Sequence, residues 1–358
     1  MAGLRRPAGP GCVPGRCGAR RRALADEALA LARAAGEPAV LAEVLDARLH
    51  ALWDPAAAED RLAAASEIID LARAAGDDAR ERLGMFWRFV ALMELGRVAE
   101  AESALAAFER AAQLAGDEAA LVMVTARHAM LAAMRGRFGE SLRLAERVLE
   151  SGRRAGLADT TDLYGAVRAM VLLEQGTPQE AAFMVELLLD AARHRPGHLF
   201  EATLAGVLAT FGGLPEAGTE LQRVLPQALG ASGPRWLGAM TAMAVAASAT
   251  GDQEAAVALY AALAPYRERL VIQGGANAAP GPVPHYLGCS PRSWAGKTKR
   301  SVSSPRPRPW PGRSAPCRLW LTRGPASLTR WPHAPAPATS RPPGNNAGKP
   351  GPSLSGWA

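Results

Sequence analysis

Aromatic residues are scarce in this 358-residue chain, at 5% of all positions, although 49% of the residues are hydrophobic. Alanine and leucine therefore have to fill the interior, which favours closely packed helices over a β-sheet. The sequence contains no apolar run of about 18 residues that would span a membrane. Residues 1–22 also lack the apolar stretch of a secretion signal. These absences predict a cytoplasmic protein with no membrane partner.

Cysteine is absent from the long middle of the chain. The four cysteines, Cys12, Cys17, Cys289 and Cys317, all lie near the two ends. Their positions exclude a disulfide framework for the core. One Cys-x4-Cys pair with two distant cysteines is also a poor zinc pattern. The sequence predicts no metal site and no cofactor.

Acidic residues are absent from both ends of the chain. Residues 1–22 carry six arginines and residues 289–358 carry twelve lysines and arginines, in neither case with an acid. The whole chain has a net charge of +7, yet residues 23–288 hold 34 acidic against 23 basic side chains. An acidic middle disfavours binding to a phosphate backbone. Nucleic-acid binding is therefore expected, if at all, only through the basic tail.

Complete catalytic motifs are also missing. Gly296-Lys297-Thr298 matches the end of a phosphate-binding loop, but Pro291 stands where that loop needs a glycine. His194 and His198 are four residues apart, as two metal ligands on a helix can be. Pro196-Gly197 breaks the helix between them, so they should not share a face. The sequence predicts a protein that is not an enzyme.

The chain is rich in one repeated pattern, which first occurs as Leu95-Gly96-Arg97-Val98-Ala99-Glu100-Ala101. Its glycine recurs after steps of 40, 40, 36 and 39 residues. The five glycines predicted to mark structural turns are Gly96, Gly136, Gly176, Gly212 and Gly251. A second series, offset by about half a period, consists of Gly36, Gly76, Gly116 and Gly156. Self-similarity at this period is typical of a helical repeat array.

The repeats predict an all-α fold, a right-handed solenoid of antiparallel helical hairpins with a period of about 40 and disordered ends. Connectors of two to five residues separate apolar segments long enough for about four helical turns, and short connectors make neighbouring helices antiparallel. We expect a disordered basic arm over residues 1–19, the helical-repeat domain over 20–270, and a loop with a partial helix over 271–288.

The turn Leu95-Gly96-Arg97-Val98-Ala99-Glu100-Ala101 resembles that of tetratricopeptide repeats, although the period here is longer. Three further stretches support a narrower resemblance: residues 20–33, Leu52-Trp53-Asp54-Pro55, and Val271-Ile272-Gln273-Gly274-Gly275 followed by residues 281–288. They resemble the helical sensor region of the MalT-like, LuxR-type activators and of cyclase-linked ATP-binding regulators of bacteria. The ATPase module and DNA-binding helices of these families have no counterpart in this sequence.

This resemblance, which covers residues 20–288, implies a non-enzymatic scaffold that senses effectors or binds proteins. The chain would then be a fragment of a signal-responsive transcriptional regulator, and its ATPase module would lie elsewhere in the parent protein. The alternative is a stand-alone helical-repeat adaptor. A third hypothesis is nucleic-acid binding through the basic tail, which requires that tail to be genuine.

The candidate binding residues lie on the first helix of successive hairpins, the helix that lines the concave side of such solenoids. They are Trp87, Arg88, Arg127, His128 and Arg168. We expect a protein or a small-molecule effector to contact this face. The alternative interpretation is that Trp87 packs in the core and the arginines are solvated.

The tail over residues 289–358 differs in composition from the rest. It is basic, rich in proline, serine and arginine, and it contains five of the eight tryptophans, whereas disordered segments are usually poor in aromatics. Read two nucleotides further on, with G or C in the free third positions, residues 292–299 and the start of Arg300 spell Val-Leu-Gly-Arg-Glu-Asp-Glu-Ala. That is another repeat turn, so we expect a shifted reading frame after Gly288.

Overall fold

The computed structural model describes residues 16–194 and 198–288, and within them the chain forms 14 α-helices and two β-strands. The helices that begin the array are α1 Arg16–Ala35, α2 Pro38–Ala51, α3 Ala58–Ala75, α4 Asp78–Glu94, α5 Val98–Ala115, α6 Glu118–Met134, α7 Phe138–Arg154 and α8 Thr160–Gln175. They are followed by α9 Pro178–His194, α10 Leu199–Thr210, α11 Leu214–Leu229, α12 Trp236–Thr250, α13 Gln253–Leu263, β1 Leu270–Gln273, β2 Ala278–Pro282 and α14 Val283–Gly288.

Local capping explains where many of the helices begin and end. At the junction of α3 and α4, Gly76 adopts a left-handed conformation with φ of +67°. The backbone N–H of Asp77 then donates to the carbonyl of Ala72 at 2.9 Å, which closes α3. The Asp77 carboxylate accepts a hydrogen bond from the N–H of Arg80 at 3.0 Å, which caps α4. The predicted stops of the second glycine series are therefore confirmed at this junction.

Four of the five predicted turn glycines have a positive φ, and Gly176 does not. Gly176 is extended, with φ of −73° and ψ of 165°. Here Thr177 and Glu180 form a reciprocal capping box that begins α9: the N–H of Thr177 donates to Glu180 Oε2 at 2.9 Å, and the N–H of Glu180 donates to Thr177 Oγ1 at 3.3 Å. α8 therefore ends directly before Gly176 without a left-handed glycine, and the threonine cap sets the chain direction instead.

Consecutive helices pack against one another, and their buried side chains form two large clusters. One cluster is built from α2 to α6 with part of α8, and the other from α10 to α14. We call α1–α8 the first helical block and α10–α13 the second helical block. The small residues five positions after each turn glycine are all buried: Ala101, Ser141, Ala181, Ala217 and Ala256. Small side chains at these positions allow the helices to pack closely.

Residues 270–282 form an antiparallel β-hairpin where the sequence predicts a loop. Leu270 pairs with Pro282 and Gln273 pairs with Ala278. The strands are stable here because β1 is buried on both faces, with Leu270 and Ile272 in the first cluster and Val271 in the second. The loop prediction and the strictly all-α prediction are wrong in this element. The partial helix expected after it is confirmed as α14.

The predicted disordered arm also ends earlier than expected, since α1 already begins at Arg16. The remaining 15 residues of the arm, and the tail with its reading-frame hypothesis, lie outside the described residues. In the described part, none of the helices is long and apolar enough to cross a membrane.

Candidate functional site

The β-hairpin lies against the helices that the sequence predicts to form the binding face. Strand β1 contacts α4 and α12, and strand β2 contacts α6 and α8. We call the surface that these four helices share the inner face. The hairpin is deeply buried there, with Val271 and Ala276 at 0% exposure. The inner face is therefore occupied by a segment of the same chain.

Arg127, on α6, makes the most extensive polar contact with the hairpin. Its Nη2 donates to the Gly275 carbonyl at 2.6 Å and to Asn277 Oδ1 at 2.8 Å, and its Nε donates to the same carbonyl at 3.1 Å. The guanidinium also lies 4.9 Å from the ring centre of Phe86. Burial lowers the pKa of Arg127 to about 9, so the side chain remains a cation at neutral pH, held by dipoles and an aromatic face.

Gly275 allows this close approach because it has no side chain. A Cβ at this position would lie 3.1 Å from Phe86 Cζ and 3.2 Å from Arg127 Nη2. On the opposite side, a Cβ at Gly238 of α12 would lie 3.0 Å from Gln273 Nε2 of β1. Glycines on both sides of the contact thus fit the hairpin to its two helical neighbours.

Two further contacts fix the hairpin to the first helical block. The backbone N–H of Ala279 points at the Met170 sulfur at 3.2 Å. At the start of the hairpin, Arg269 pairs with the Glu59 carboxylate, with both oxygens at 2.6 Å from Nη2. Met170 is on α8 and Glu59 is on α3, so the hairpin is anchored at several points along the block.

Trp87 lies beneath the same region, in an aromatic cluster. Its ring makes edge contacts with those of Trp53 and His50, with centroids 4.9 and 5.1 Å apart. Burial lowers the pKa of His50, and nearby Asp46 partly opposes that shift. Burial also raises the pKa of Asp46. Trp87 is therefore a core residue, as the alternative sequence interpretation states.

Arg61, on α3, is a second buried arginine. Its Nη1 donates to the carbonyls of Leu52 at 2.8 Å and Asp54 at 2.7 Å, and its Nη2 pairs with Glu94. Burial lowers its pKa to about 10. Arg61 thus fixes the irregular segment between α2 and α3, and Glu94 of α4 supplies its counter-charge.

The other three predicted site residues form an exposed row. Arg88, His128 and Arg168 occupy equivalent positions 40 residues apart on α4, α6 and α8. His128 Nε2 lies 3.1 Å from Glu109, and Arg168 Nη1 donates to the Tyr164 hydroxyl at 2.9 Å. The side chains of His128 and Arg168 are 42% and 52% exposed. We call these three residues the exposed row.

The structure therefore divides the predicted site. Trp87 and Arg127 are buried, whereas Arg88, His128 and Arg168 lie at the surface. Sequence reasoning missed Gly275, Asn277 and Arg269, which join the hairpin to the inner face. The signal available was the β-branched pair Val271-Ile272 directly before two glycines, which favours a strand and a turn.

His194 and His198 have separate partners, the first contacting Asp190 and the second Glu201. Across residues 16–194 and 198–288, no group of three or more His, Cys, Asp or Glu side chains is placed to hold a metal ion. No protein-family model matches this chain, and neither a curated protein nor a solved structure matches it.

Proposed function

We propose that this chain is a non-enzymatic protein-interaction scaffold, a right-handed solenoid of helical hairpins that binds its partner along the exposed row. The observation that carries the proposal is the spacing of Arg88, His128 and Arg168. Three polar side chains at equivalent repeat positions stay exposed, while the residue before each one is buried. A solenoid repeats such positions along one extended edge, which suits the recognition of an extended partner.

The acids beside the row indicate the chemistry of the partner. Glu109 contacts His128, and Glu146 accepts from Tyr164 at 2.9 Å next to Arg168. A surface of alternating charge offers both donors and acceptors, so it favours a polar protein segment over a nucleic-acid backbone. The inner face is a weaker candidate for an external effector, because the hairpin already fills it.

We further propose that the chain belongs to a bacterial, cytoplasmic signal-responsive transcriptional regulator, whose ATPase module lies outside this sequence. The support is the resemblance of residues 20–288 to the sensor region of such regulators. The alternative is a stand-alone adaptor. Sequencing the DNA on both sides of the reading frame decides between them, because an in-frame ATPase sequence upstream favours the regulator and its absence favours the adaptor.

The proposed binding edge can be tested by photo-crosslinking in cells. A photoreactive amino acid replaces Arg88, His128 or Arg168 in turn, and Arg223 of α11 provides the matched control. Arg223 is a similarly exposed arginine, with 48% of its side chain accessible, and it pairs with Glu220. We expect the same partner to be captured from all three row positions and not from the control position.

Two results would contradict the proposal. One is capture of the same species from Arg223 as from the row, which indicates non-specific contact. The other is capture from one row position only, because a partner that follows the edge has to contact all three. A charge reversal at Arg168 should also weaken the interaction, while the same reversal at Arg223 should leave it unchanged.

A further inference from the structure

The β-hairpin takes part in both buried clusters of the molecule. Leu270, Ile272 and Ala278 belong to the cluster of the first helical block, whereas Val271 belongs to that of the second. Alternate residues of a strand point to opposite faces, so a single short strand can join two cores. The hairpin therefore packs against both helical blocks.

Helix α9, which connects the two blocks along the chain, contributes little to either core. Ala181 and Met184 are buried, but none of its described side chains belongs to one of the buried clusters. Leu187 and Leu189 are 51% and 38% exposed, and Val185 is only half-buried. Leu105 of α5 and Leu221 of α11 occupy the same position of the repeat as Val185. They are almost fully buried, at 1% and 0% exposure. The covalent link between the blocks is therefore loosely packed.

Direct contact between the blocks is also limited. Trp53 and Pro55 of the first block face Pro234 and Leu237 of the second across a narrow cleft that is also lined by Leu270 and Ile272 of β1. A hydrogen bond of 3.1 Å from Arg21 to the Ser232 hydroxyl crosses between exposed side chains. Most of the buried connection between the blocks consequently runs through the hairpin.

We propose that the β-hairpin is a clasp that holds the two helical blocks in one arrangement, and that α9 is the hinge on which they separate when the clasp opens. Release of the turn around Gly275 from Arg127 is the opening step. The separation widens the cleft between Trp53 and Leu237, and it changes the distance between the blocks. A partner that prefers the open form would thus be sensed as a change of shape.

Arg127 is suited to control this step because polar dipoles and an aromatic ring, rather than an acid, hold it. The Gly275 carbonyl and the Asn277 amide are attached to the mobile element, and Phe86 is attached to the block. At the Arg127 contact, opening therefore exchanges a few hydrogen bonds for water, without separating an ion pair in a medium of low dielectric constant. The Arg269–Glu59 pair at the other end lies near the surface, where water screens it.

The test compares the full chain with Arg127→Met and the milder Asn277→Ala. Hydrogen exchange is measured by mass spectrometry on peptides from the hairpin, α9, α3 and α11. In Arg127→Met we expect exchange about tenfold to a hundredfold faster in the hairpin and in α9, because charge-assisted hydrogen bonds are lost. Exchange in the interiors of α3 and α11 should be unchanged. Asn277→Ala should give the same pattern with a smaller increase.

Val224→Ala is the matched control, because Val224 is fully buried in α11, a helix without extensive contact with either hairpin strand. It should accelerate exchange within the second block and leave the hairpin unaffected.

A second measurement uses spin labels at Leu114 of α5 and Val257 of α13, which are 92% and 59% exposed. The native cysteines are replaced by serine. We expect one distance in the parent chain and an added longer distance in both clasp variants.

Two outcomes overturn the clasp. If faster exchange stays confined to residues 270–282 and the label distance is unchanged, the hairpin is a passive cover. If exchange increases equally in all peptides, Arg127 is only a stabilising core residue. Should Arg127→Met fail to fold, the same outcomes are decided with Asn277→Ala, which removes one acceptor and leaves the cation in place.

Discussion

Arg61 and Arg127 are both buried cations, yet they are held in different ways. Arg61 is 1% exposed and pairs with the carboxylate of Glu94. Arg127 is 2% exposed, and its hydrogen-bond acceptors are two backbone carbonyls and an amide oxygen. Burial lowers the pKa of both, to about 10 for Arg61 and to about 9 for Arg127. At Arg61 the nearby carboxylates of Asp54, Asp60 and Glu59 partly oppose the effect of burial on the pKa.

Arg61 therefore makes a permanent contact, whereas Arg127 makes a reversible one. A buried ion pair is costly to break, because removal of either partner leaves an uncompensated charge. Arg61 uses such a pair to fix a loop within one block. Arg127 uses neutral acceptors on a segment 148 residues away, where a reversible contact is more useful than a permanent one.

The largest expected effect on stability comes from removing the carboxylate that pairs with Arg61. Glu94→Ala leaves the buried Arg61 cation without its carboxylate, and we expect the free energy of unfolding to fall by about 3–5 kcal/mol. Urea denaturation followed by circular dichroism measures this loss. Glu100→Ala, which removes the acid of the exposed Arg97–Glu100 pair, should have no measurable effect. Equal losses of stability in Glu94→Ala and Glu100→Ala would contradict the distinction between the buried and the exposed ion pair.

The aromatic contact at Arg127 has no equivalent at Arg61. Phe86→Leu removes the ring that lies over the guanidinium and leaves a small void, so we expect a loss of about 2 kcal/mol. Phe108→Leu is the control, because Phe108 is 3% exposed and contacts Phe86. The same urea experiment should show a larger loss for Phe86→Leu than for Phe108→Leu. A loss at Phe86 no larger than at Phe108 would exclude a contribution from the cation.

Asn277→Asp would convert the Arg127 site into one like that of Arg61. We expect the free energy of unfolding to change by less than about 1.5 kcal/mol at pH 7, because the attraction between Arg127 and the new carboxylate is offset by the desolvation of that carboxylate. The pairing should depress the folded-state pKa of that carboxyl below its unfolded value of about 3.9. Its stabilisation is therefore present above pH 4 and lost as the pH falls through the folded pKa.

Urea unfolding between pH 2 and pH 7 tests this prediction by comparison with the parent chain. The stability difference between the two proteins should be constant above pH 5 and should turn against the variant at lower pH. A difference that is independent of pH would mean that the carboxyl does not pair with Arg127.

The smallest effect concerns His50, which lies beside the segment that Arg61 holds. Because burial lowers its pKa, the unfolded chain binds a proton more readily than the folded one. Its stabilising effect is complete above the unfolded pKa of about 6.5 and is lost as the pH falls through the lower folded pKa. His50→Gln should therefore weaken the pH dependence of stability between pH 5 and pH 7. Superimposable profiles of stability against pH for His50→Gln and the parent chain would refute this prediction.

Local signals in the sequence predicted the helices well, because each helix carries its own stop. The glycine series and the capping aspartates act over three to six residues, and tertiary contacts do not override them at Gly76 or Gly96. Gly176 is the exception, since the following Thr177 offers a competing cap. The threonine and glutamate of that cap are visible in the sequence, so this turn could have been predicted.

The hairpin and the division of the site depend on long-range contacts. Ala278 and Ala279 have poor strand propensity, and they become strand residues because α6 and α8 bury them. Likewise, nothing in the local sequence distinguishes Arg127 from Arg88, which occupies a neighbouring register of the repeat. The contact partner of Arg127 lies near the other end of the described chain, and periodicity along a helix carries no information about it.

The position of the hairpin has a consequence for synthesis. Helix α6 leaves the ribosome long before the segment that covers it, because 148 residues separate Arg127 from Gly275. At about 5–20 residues per second, that interval is roughly 7–30 s. During this time Phe86 and the surrounding apolar side chains of the inner face are open to other nascent chains and to chaperones. A segment translated much later than α6 therefore completes the inner face, and premature termination before residue 270 would leave this surface permanently exposed.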